Sequence, residues 1–67
     1  MKEVFEGWAA RDEDGDLCIY EEKPERRVDI LMWHSSNKLF AFCNEDVLPN
    51  ITWVTEPRKV IVTIETI

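Results

Sequence analysis

Short runs of alternating apolar and polar residues occur along the chain, and they are typical of β-strands. Successive side chains of a strand point to opposite faces, so a period of two marks a strand with one buried face. The clearest run is Lys59–Ile67, where Val60, Val62 and Ile64 alternate with other residues and β-branched side chains dominate. Because this run shows no helical period, the pattern predicts a β protein.

The stretch Glu6–Pro24 predicts a β-hairpin beside which the other strands are laid. Its first arm is Glu3–Ala10 and its return arm is Leu17–Glu22. Between the arms, Asp14 and Gly15 form a favoured turn pair, because Asp promotes chain reversal and Gly supplies the positive φ that tight turns need. This hairpin is the strongest local signal in the chain.

Two details of the hairpin follow from its residues. In the return arm, Leu17 and Ile19 are expected on one face, with Cys18 and Tyr20 on the other. Gly7 lies inside the first arm, where glycine indicates either a bulge or the close approach of a neighbouring strand.

The middle of the chain predicts further short elements. The charged, Pro-containing segment 21–27 is expected to be a connection, because Pro cannot donate to a ladder. Val28–Trp33 and Leu39–Cys43 are expected to pair as a second hairpin, and Ile51–Val54 to form another short strand. Asn44 is a suitable cap for one short helical turn near residues 45–49, which Pro49 would close.

Together these elements predict one all-β domain over residues 1–67 with minor α content. It would contain a five- to six-stranded antiparallel sheet. A small SH3-like barrel is the first expectation, because closure removes exposed sheet edges. An open meander that dimerises is the second expectation.

The charge balance limits the classes of partner. Fourteen acidic and eight basic residues give a formal net charge of −6. Nucleic-acid binding and anionic membrane surfaces both require basic residues, so neither is expected. With no apolar run of signal-peptide or membrane-span length, a soluble cytoplasmic protein is expected. The acidity is explained either by solubility or by a negative face that meets a basic partner.

The alternating carboxylates of the hairpin turn are similar to a calcium-binding loop, but the match fails. An EF-hand needs Gly at position 6 and Glu at position 12 of its loop. Counted from Asp12, those positions hold Leu17 and Lys23. A solvated turn is therefore the preferred interpretation of Asp12, Asp14 and Asp16.

Cys18, His34 and Cys43 provide three potential soft ligands, but a structural zinc site needs four, with closely spaced pairs. A catalytic Cys–His pair is also not expected, because both cysteines lie in apolar runs and His34 lies in a predicted loop. Two buried free thiols are expected. We predict no metal, no cofactor and no enzymatic activity.

The aromatic residues are the best candidates for a binding surface. Large rings pack in cores, yet a sheet has two faces, and aromatics grouped on an exposed face with an acidic rim would form an interaction site. Both interpretations stay open at this point. The candidate partner-binding residues are Trp8, Tyr20, Trp33, Phe40 and Trp53, with Asp12, Glu13, Asp14 and Asp16 of the turn.

One segment also carries a resemblance. The order Gly-Trp-x-Ala-Arg-Asp-Glu-Asp-Gly-x-Leu, then Tyr-Glu-Glu-Lys-Pro, within Gly7–Pro24 resembles a group of short bacterial, phage and mobile-element proteins without an assigned activity. In that group a Pro and a Trp follow, as Pro49 and Trp53 do here, and then a Pro-x-Lys-Val strand like the one at Pro57–Val60. The resemblance implies a phage or mobile-element origin and transfers no functional residue.

The sequence thus favours a non-enzymatic protein-binding accessory module with an unidentified protein partner. The alternative is a structural or homo-oligomeric assembly component, for which a homodimer is the simplest form. A single-strand-binding barrel is disfavoured by the negative charge.

Overall fold

The chain forms two antiparallel sheets and no helix. The structure, a computed structural model, describes residues 1–67. The strands are β1 Lys2–Arg11, β2 Leu17–Tyr20, β3 Glu25–Arg27, β4 Met32–His34, β5 Lys38–Phe42 and β6 Arg58–Glu65. The larger sheet has the order β5-β2-β1-β6, and β3 and β4 form a separate pair. The structure contains no helix with the length and apolar character needed to span a membrane.

The predicted first hairpin is confirmed. β1 pairs with β2, with Trp8 opposite Tyr20 and Arg11 opposite Leu17. The turn between them contains Gly15 at φ +103°, as a tight reversal requires. At Gly7 the pairing with β6 runs without a shift, and a Cβ there would lie 3.0 Å from Cγ2 of Ile19. Gly7 therefore permits a close approach and is not a bulge.

β1 is the longest strand, and its first half pairs only with β6. The β1–β6 register runs from Lys2 opposite Glu65 to Ala9 opposite Arg58. The ends of the chain are joined as well, because the backbone N–H of Thr66 donates to the carbonyl oxygen of Met1 at 2.9 Å. This two-stranded ribbon extends beyond β2 and gives the molecule its elongated form, 41 × 25 × 15 Å.

The predicted second hairpin does not form. Its second arm, Leu39–Cys43, is present as a strand that overlaps β5, but its first arm, Val28–Trp33, is mostly a turn. Residues 28–31 form a turn, closed by the Ile30 N–H on the Arg27 carbonyl, and Leu31 has φ +56°. The strands flanking this turn are β3 and β4, so the segment expected to be a connection contains a strand. β5 pairs with β2 instead, with Cys18 opposite Ala41. The apolar, β-branched composition of 28–31 does not distinguish a strand from an exposed turn.

The predicted helical turn near residues 45–49 and the predicted strand at 51–54 are also absent. Asn44 starts a turn, in which its side chain accepts a bond from the Asp46 N–H at 2.8 Å. Leu48 then takes φ +48°, which is incompatible with a right-handed helix. Further turns occupy residues 49–55, so residues 43–57 form one irregular segment between β5 and β6.

The large sheet has two distinct faces and does not close into a barrel. The face that we call the groove face carries Ala9, Leu17 and Ile19 against Ile51 of the irregular segment. The opposite face, the tryptophan face, carries Ala10, Cys18 and Tyr20 against Trp33 of β4. The face assignment of β2 is thereby confirmed. β5 and β6 remain as edge strands, so the expectation of a closed barrel is wrong.

The two cysteines differ in environment. Cys18 is buried on the tryptophan face, and its burial raises the pKa of the thiol. Cys43 follows β5 and is exposed, so the expectation of two buried thiols is wrong for Cys43. Both are free.

Arg11 holds the irregular segment on the sheet. Only 6% of this residue is exposed, and its guanidinium group donates to backbone carbonyls from two parts of the chain. Nε donates to Ile51 at 2.7 Å and Nη1 to Gly15 at 2.6 Å. Nη2 donates to Val47 and, at 3.4 Å, to Leu48. One side chain therefore joins the hairpin turn to residues 47–51.

We expect Gly15→Val to lower the free energy of unfolding by about 1–3 kcal/mol, because a β-branched residue resists positive φ. Urea unfolding followed by tryptophan fluorescence measures the change. Glu13→Val, an exposed β-branched substitution in the same turn, serves as the control and should be nearly neutral. Equal losses in both variants would contradict the turn argument.

We expect Arg11→Met to lower the free energy of unfolding by about 3 kcal/mol or more, because buried carbonyls lose their donors. A domain of this size has only about 3–5 kcal/mol of net stability, so the variant should be largely unfolded at 25 °C. Circular dichroism and thermal melts provide the readout. Arg58→Met removes the same charge at an exposed site and should keep the fold; a folded, stable Arg11→Met protein would refute the role of Arg11.

Candidate binding groove

An apolar groove of about 290 Å³ lies open on the groove face. Its lining combines strands from both edges of the sheet with the irregular segment. The lining residues include Leu17 and Ile19 of β2, Phe40 and Phe42 of β5, Leu48 of the irregular segment and Val62 of β6. Its size is near the lower limit of small-molecule sites, roughly 300–1,000 Å³, and its open side suits the side chains of a partner.

The groove exists because the irregular segment covers the face only in part. Ile51 is buried against the sheet and Val47 packs beside it, whereas the rest of the face has no covering layer. Phe42 is 39% exposed and Leu48 is 43% exposed at the groove margin. Exposed large apolar side chains around a concave surface are typical of interaction sites.

One end of the groove is acidic. Asp16 precedes Leu17 directly, and Glu45 and Asp46 precede the groove-lining Val47. The Glu45 side chain reaches the hairpin turn, where its Oε1 would lie 2.9 Å from a Cβ at Gly15. Glu13 and Asp14 of that turn are exposed. The four ion pairs of the molecule use other carboxylates, so these five acidic groups are free of ion pairs.

The small sheet covers the tryptophan face over β2 and the end of β1. The rings of Trp33 and Trp53 meet edge to face with centroids 5.8 Å apart. The Arg26 guanidinium carbon lies 4.6 Å from the Trp33 ring centroid and 5.2 Å from that of Trp53, within cation–π range of both. The Tyr20 hydroxyl donates to the Trp33 carbonyl at 3.3 Å. With Tyr20 3% exposed and Trp33 5% exposed, neither contributes to an exposed binding surface.

Trp8 is half-buried at the margin of the same face. The Nζ atoms of Lys23 and Lys59 lie 5.7 Å and 5.6 Å from its ring centroid. Lys59 also forms an ion pair with Glu6 at 3.3 Å. The two ammonium groups already occupy the neighbourhood of the indole ring.

Asp12 is not part of a solvated turn. It is 2% exposed, and its Oδ1 accepts a hydrogen bond from the Trp33 backbone N–H at 2.8 Å. The Trp33 indole N–H donates to the Arg11 carbonyl at 2.9 Å. Burial raises the pKa of the Asp12 carboxyl above its usual value, against the lowering effect of the Trp33 bond. Asp12 therefore docks β4 onto the end of β1.

The predicted aromatic set is divided between the two faces. Phe40 lines the groove, whereas Trp8, Tyr20, Trp33 and Trp53 belong to the tryptophan face. Alternation along β5 and β6 indicates which residues share a face, but it does not indicate which face stays uncovered. The sequence did not single out the other nine residues that line the groove as binding residues: Leu17, Ile19, Phe42, Val47, Leu48, Val60, Ile61, Val62 and Thr63.

A second hollow of about 350 Å³, next to the acidic end, is polar. Arg11, Asp12, Glu13, Glu45 and Trp53 contribute to its wall. The structure contains no group of three or more His, Cys, Asp or Glu side chains placed to hold a metal ion. The arrangement offers no nucleophile–base pair in this hollow, and the groove is the better candidate site.

Comparison with known proteins does not identify the site. No family model matches the chain, and no curated protein or solved structure is significantly similar to it. The features that bear on function are therefore the apolar groove, its acidic end and the charges around them.

We expect Asp12→Asn to become more stable relative to the wild type as the pH rises from about 4 to 7. A carboxyl whose pKa is raised on folding stabilises the protein below its unfolded value near 3.8, and that contribution is lost as the pH rises through the folded-state pKa. Asn keeps an oxygen for the Trp33 N–H and does not titrate. Urea unfolding at several pH values measures the difference.

The control for this series is Asp12→Ala, which leaves the Trp33 N–H without its acceptor. It should be less stable than the wild type at every pH, by about 1–3 kcal/mol. A constant difference between Asp12→Asn and the wild type over the whole pH range would contradict the burial argument.

Proposed function

We propose that this chain is a non-enzymatic protein-binding module. Its groove holds a short apolar segment of a partner protein, and its acidic end binds Lys or Arg residues next to that segment. The observation that carries the proposal is the juxtaposition of the half-open apolar groove with unpaired carboxylates, among them Asp16 and Asp46, which directly precede the groove residues Leu17 and Val47. The resemblance to phage and mobile-element proteins fits an accessory protein that acts on a host or phage machine.

The apolar part of the site supplies affinity. Burial of one Leu- or Phe-sized side chain is worth roughly 1.5–3 kcal/mol, and Phe42 and Leu48 would be desolvated together with the partner's side chains. Association entropy and side-chain ordering offset part of this gain. A small groove alone therefore favours a weak or moderate complex.

The acidic end orients the bound segment and raises its rate of association. Glu45 and Asp46 are exposed, and together with the overall charge of −6 they attract a basic segment. Each exposed ion pair adds only about 0.2–1 kcal/mol, and salt screens it. The orientation of the bound segment follows, with its basic residues next to the hairpin turn.

Leu48 and Leu31 form a matched pair for testing the groove. Both are exposed leucines at positive φ, 43% exposed at φ +48° and 48% exposed at φ +56°. Asn tolerates this backbone conformation, so neither Leu48→Asn nor Leu31→Asn should reduce stability. Leu48 lines the groove, and Leu31 lies in the turn between β3 and β4.

The experiment selects a displayed library of random peptides on the wild-type protein. We expect enriched peptides to combine apolar residues with Lys or Arg at one end, and to bind about tenfold or more weakly to Leu48→Asn. Binding to Leu31→Asn should be unchanged. Failure to enrich peptides, or equal binding to both variants, would overturn the proposal.

A second pair of variants tests the acidic end. Glu45→Gln combined with Asp46→Asn should weaken the enriched peptides about two- to thirtyfold at low salt and flatten the salt dependence. Glu22→Gln combined with Glu25→Gln changes the net charge equally at other exposed positions. If both double variants reduce binding alike, the effect is one of net charge and the acidic end has no specific role.

A further inference from the structure

β6 presents an open sheet edge over its whole length. It has eight residues and pairs on one side only, with β1. The Thr66 N–H points to β1, where it donates to Met1. Backbone groups of alternate strand residues point to opposite sides, so the N–H and C=O groups of Lys59, Ile61, Thr63 and Glu65 point to the open edge.

The two edges of the large sheet are protected to different degrees. β5 has five residues, and its pairing with β2 shifts at Ile19/Tyr20. β6 has an unbroken register with β1, contains no Pro, and carries five consecutive β-branched residues in Val60–Ile64. Ile61 is 73% exposed. A long, regular, apolar edge of this kind is a template for pairing with another strand.

The sequence of β6 is complementary to itself. Two copies that pair antiparallel about a twofold axis perpendicular to the sheet keep their faces, so the axis passes midway between one residue and its own counterpart. With the axis at Val62, Lys59 lies opposite Glu65 of the second copy, and Ile61 lies opposite Thr63. Val62 meets its own counterpart on the groove face. Opposite charges placed directly across an antiparallel pair are favourable.

Neighbouring registers lack this complementarity. With the axis at Ile61, Lys59 lies opposite Thr63 and Glu65 opposite Pro57. With the axis at Thr63, Lys59 lies opposite Ile67 and Glu65 opposite Ile61. Neither register sets the two charges against each other.

The charges of β1 extend the complementary row. Glu6 pairs with Lys59 at 3.3 Å, and Lys2 pairs with Glu65 at 3.9 Å, on the same face of the sheet. Across the dimer, the row of charged side chains runs from Glu6 and Lys59 of one copy to Glu65 and Lys2 of the second copy. The signs alternate along the whole row.

We propose that the open edge of β6 is a homodimer interface. In this dimer the β6 strands of two copies pair antiparallel about Val62 and join the two large sheets into one. The strand that pairs with this edge is a second copy of the chain, because Lys59 and Glu65 of the two copies then lie opposite each other with opposite charges. The proposal rests on the open edge and its charges and not on the groove, although β6 residues, Val62 among them, also line the groove.

The test measures molar mass by light scattering and sedimentation at low salt over a range of concentrations. The wild type should rise from 7.9 kDa toward twice that mass. Lys59→Glu alone places Glu against Glu65, and Glu65→Lys alone places Lys against Lys59. Each single variant should dimerise at least about tenfold more weakly.

An equimolar mixture of the two variants supplies the control. In a mixed dimer both cross-strand pairs again have opposite signs, so the mixture should form a heterodimer of near wild-type affinity. A merely structural effect, such as repulsion between Glu6 and a Glu at position 59, is not relieved by mixing. A monomeric wild type, variants that dimerise like the wild type, or a mixture that stays monomeric would each overturn the proposal.

Discussion

Backbone carbonyl oxygens from the hairpin turn and the irregular segment converge on the guanidinium group of Arg11. The segment that covers the groove face contains no regular element and shares no ladder with the sheet. Hydrophobic contact through Ile51 gives it affinity for the sheet, but contact of this kind is non-directional. The planar, multidentate donor set of Arg11 fixes its register, and Gly15 and Leu48 are placed relative to each other by the same side chain.

Asp12 attaches the small sheet to the tryptophan face, as Arg11 attaches the irregular segment to the groove face. It binds the backbone of Trp33, while the indole N–H of Trp33 returns to Arg11. Two adjacent polar residues at the end of β1 therefore attach one layer to each face. The tryptophan face is closed by rings and by Arg26, whereas the groove face is closed only where Arg11 holds the covering segment. The open remainder is the groove, so its position follows from how far that segment reaches.

The sequence predicts this fold where local chemistry decides it. The β1–β2 hairpin was predictable because Asp14-Gly15 fits the turn by itself, and β6 because its β-branched alternation allows no helix. Elsewhere the outcome depends on distant partners. Residues 28–31 and 39–42 are both predominantly apolar, yet one segment forms a turn and the other an edge strand beside β2. Strand pairing is decided by the competition among all strands, which local propensity does not record.

The candidate site escapes prediction for a related reason. Alternation placed Val60 and Val62 on one face, but whether that face is covered depends on Arg11, whose acceptors are carbonyl oxygens that every residue possesses. Such acceptors leave no signature in the sequence. The aromatics do not share one surface: Phe40 packs on the groove face, whereas Trp33 of β4 and Trp53 of the irregular segment pack on the tryptophan face.

The pairing of β1 with β6 also has a kinetic consequence. Met1 and Thr66 are in contact although they are 65 positions apart in the sequence. Closing so long a loop costs chain entropy before its contacts compensate, whereas the β1–β2 turn closes locally. We therefore expect the hairpin to form before β6 pairs, which leaves the outer edge of β1 unpaired in the meantime. β6 completes the sheet, but in a single copy of the chain its own outer edge remains unpaired. The exposed edge that favours aggregation therefore shifts from β1 to β6.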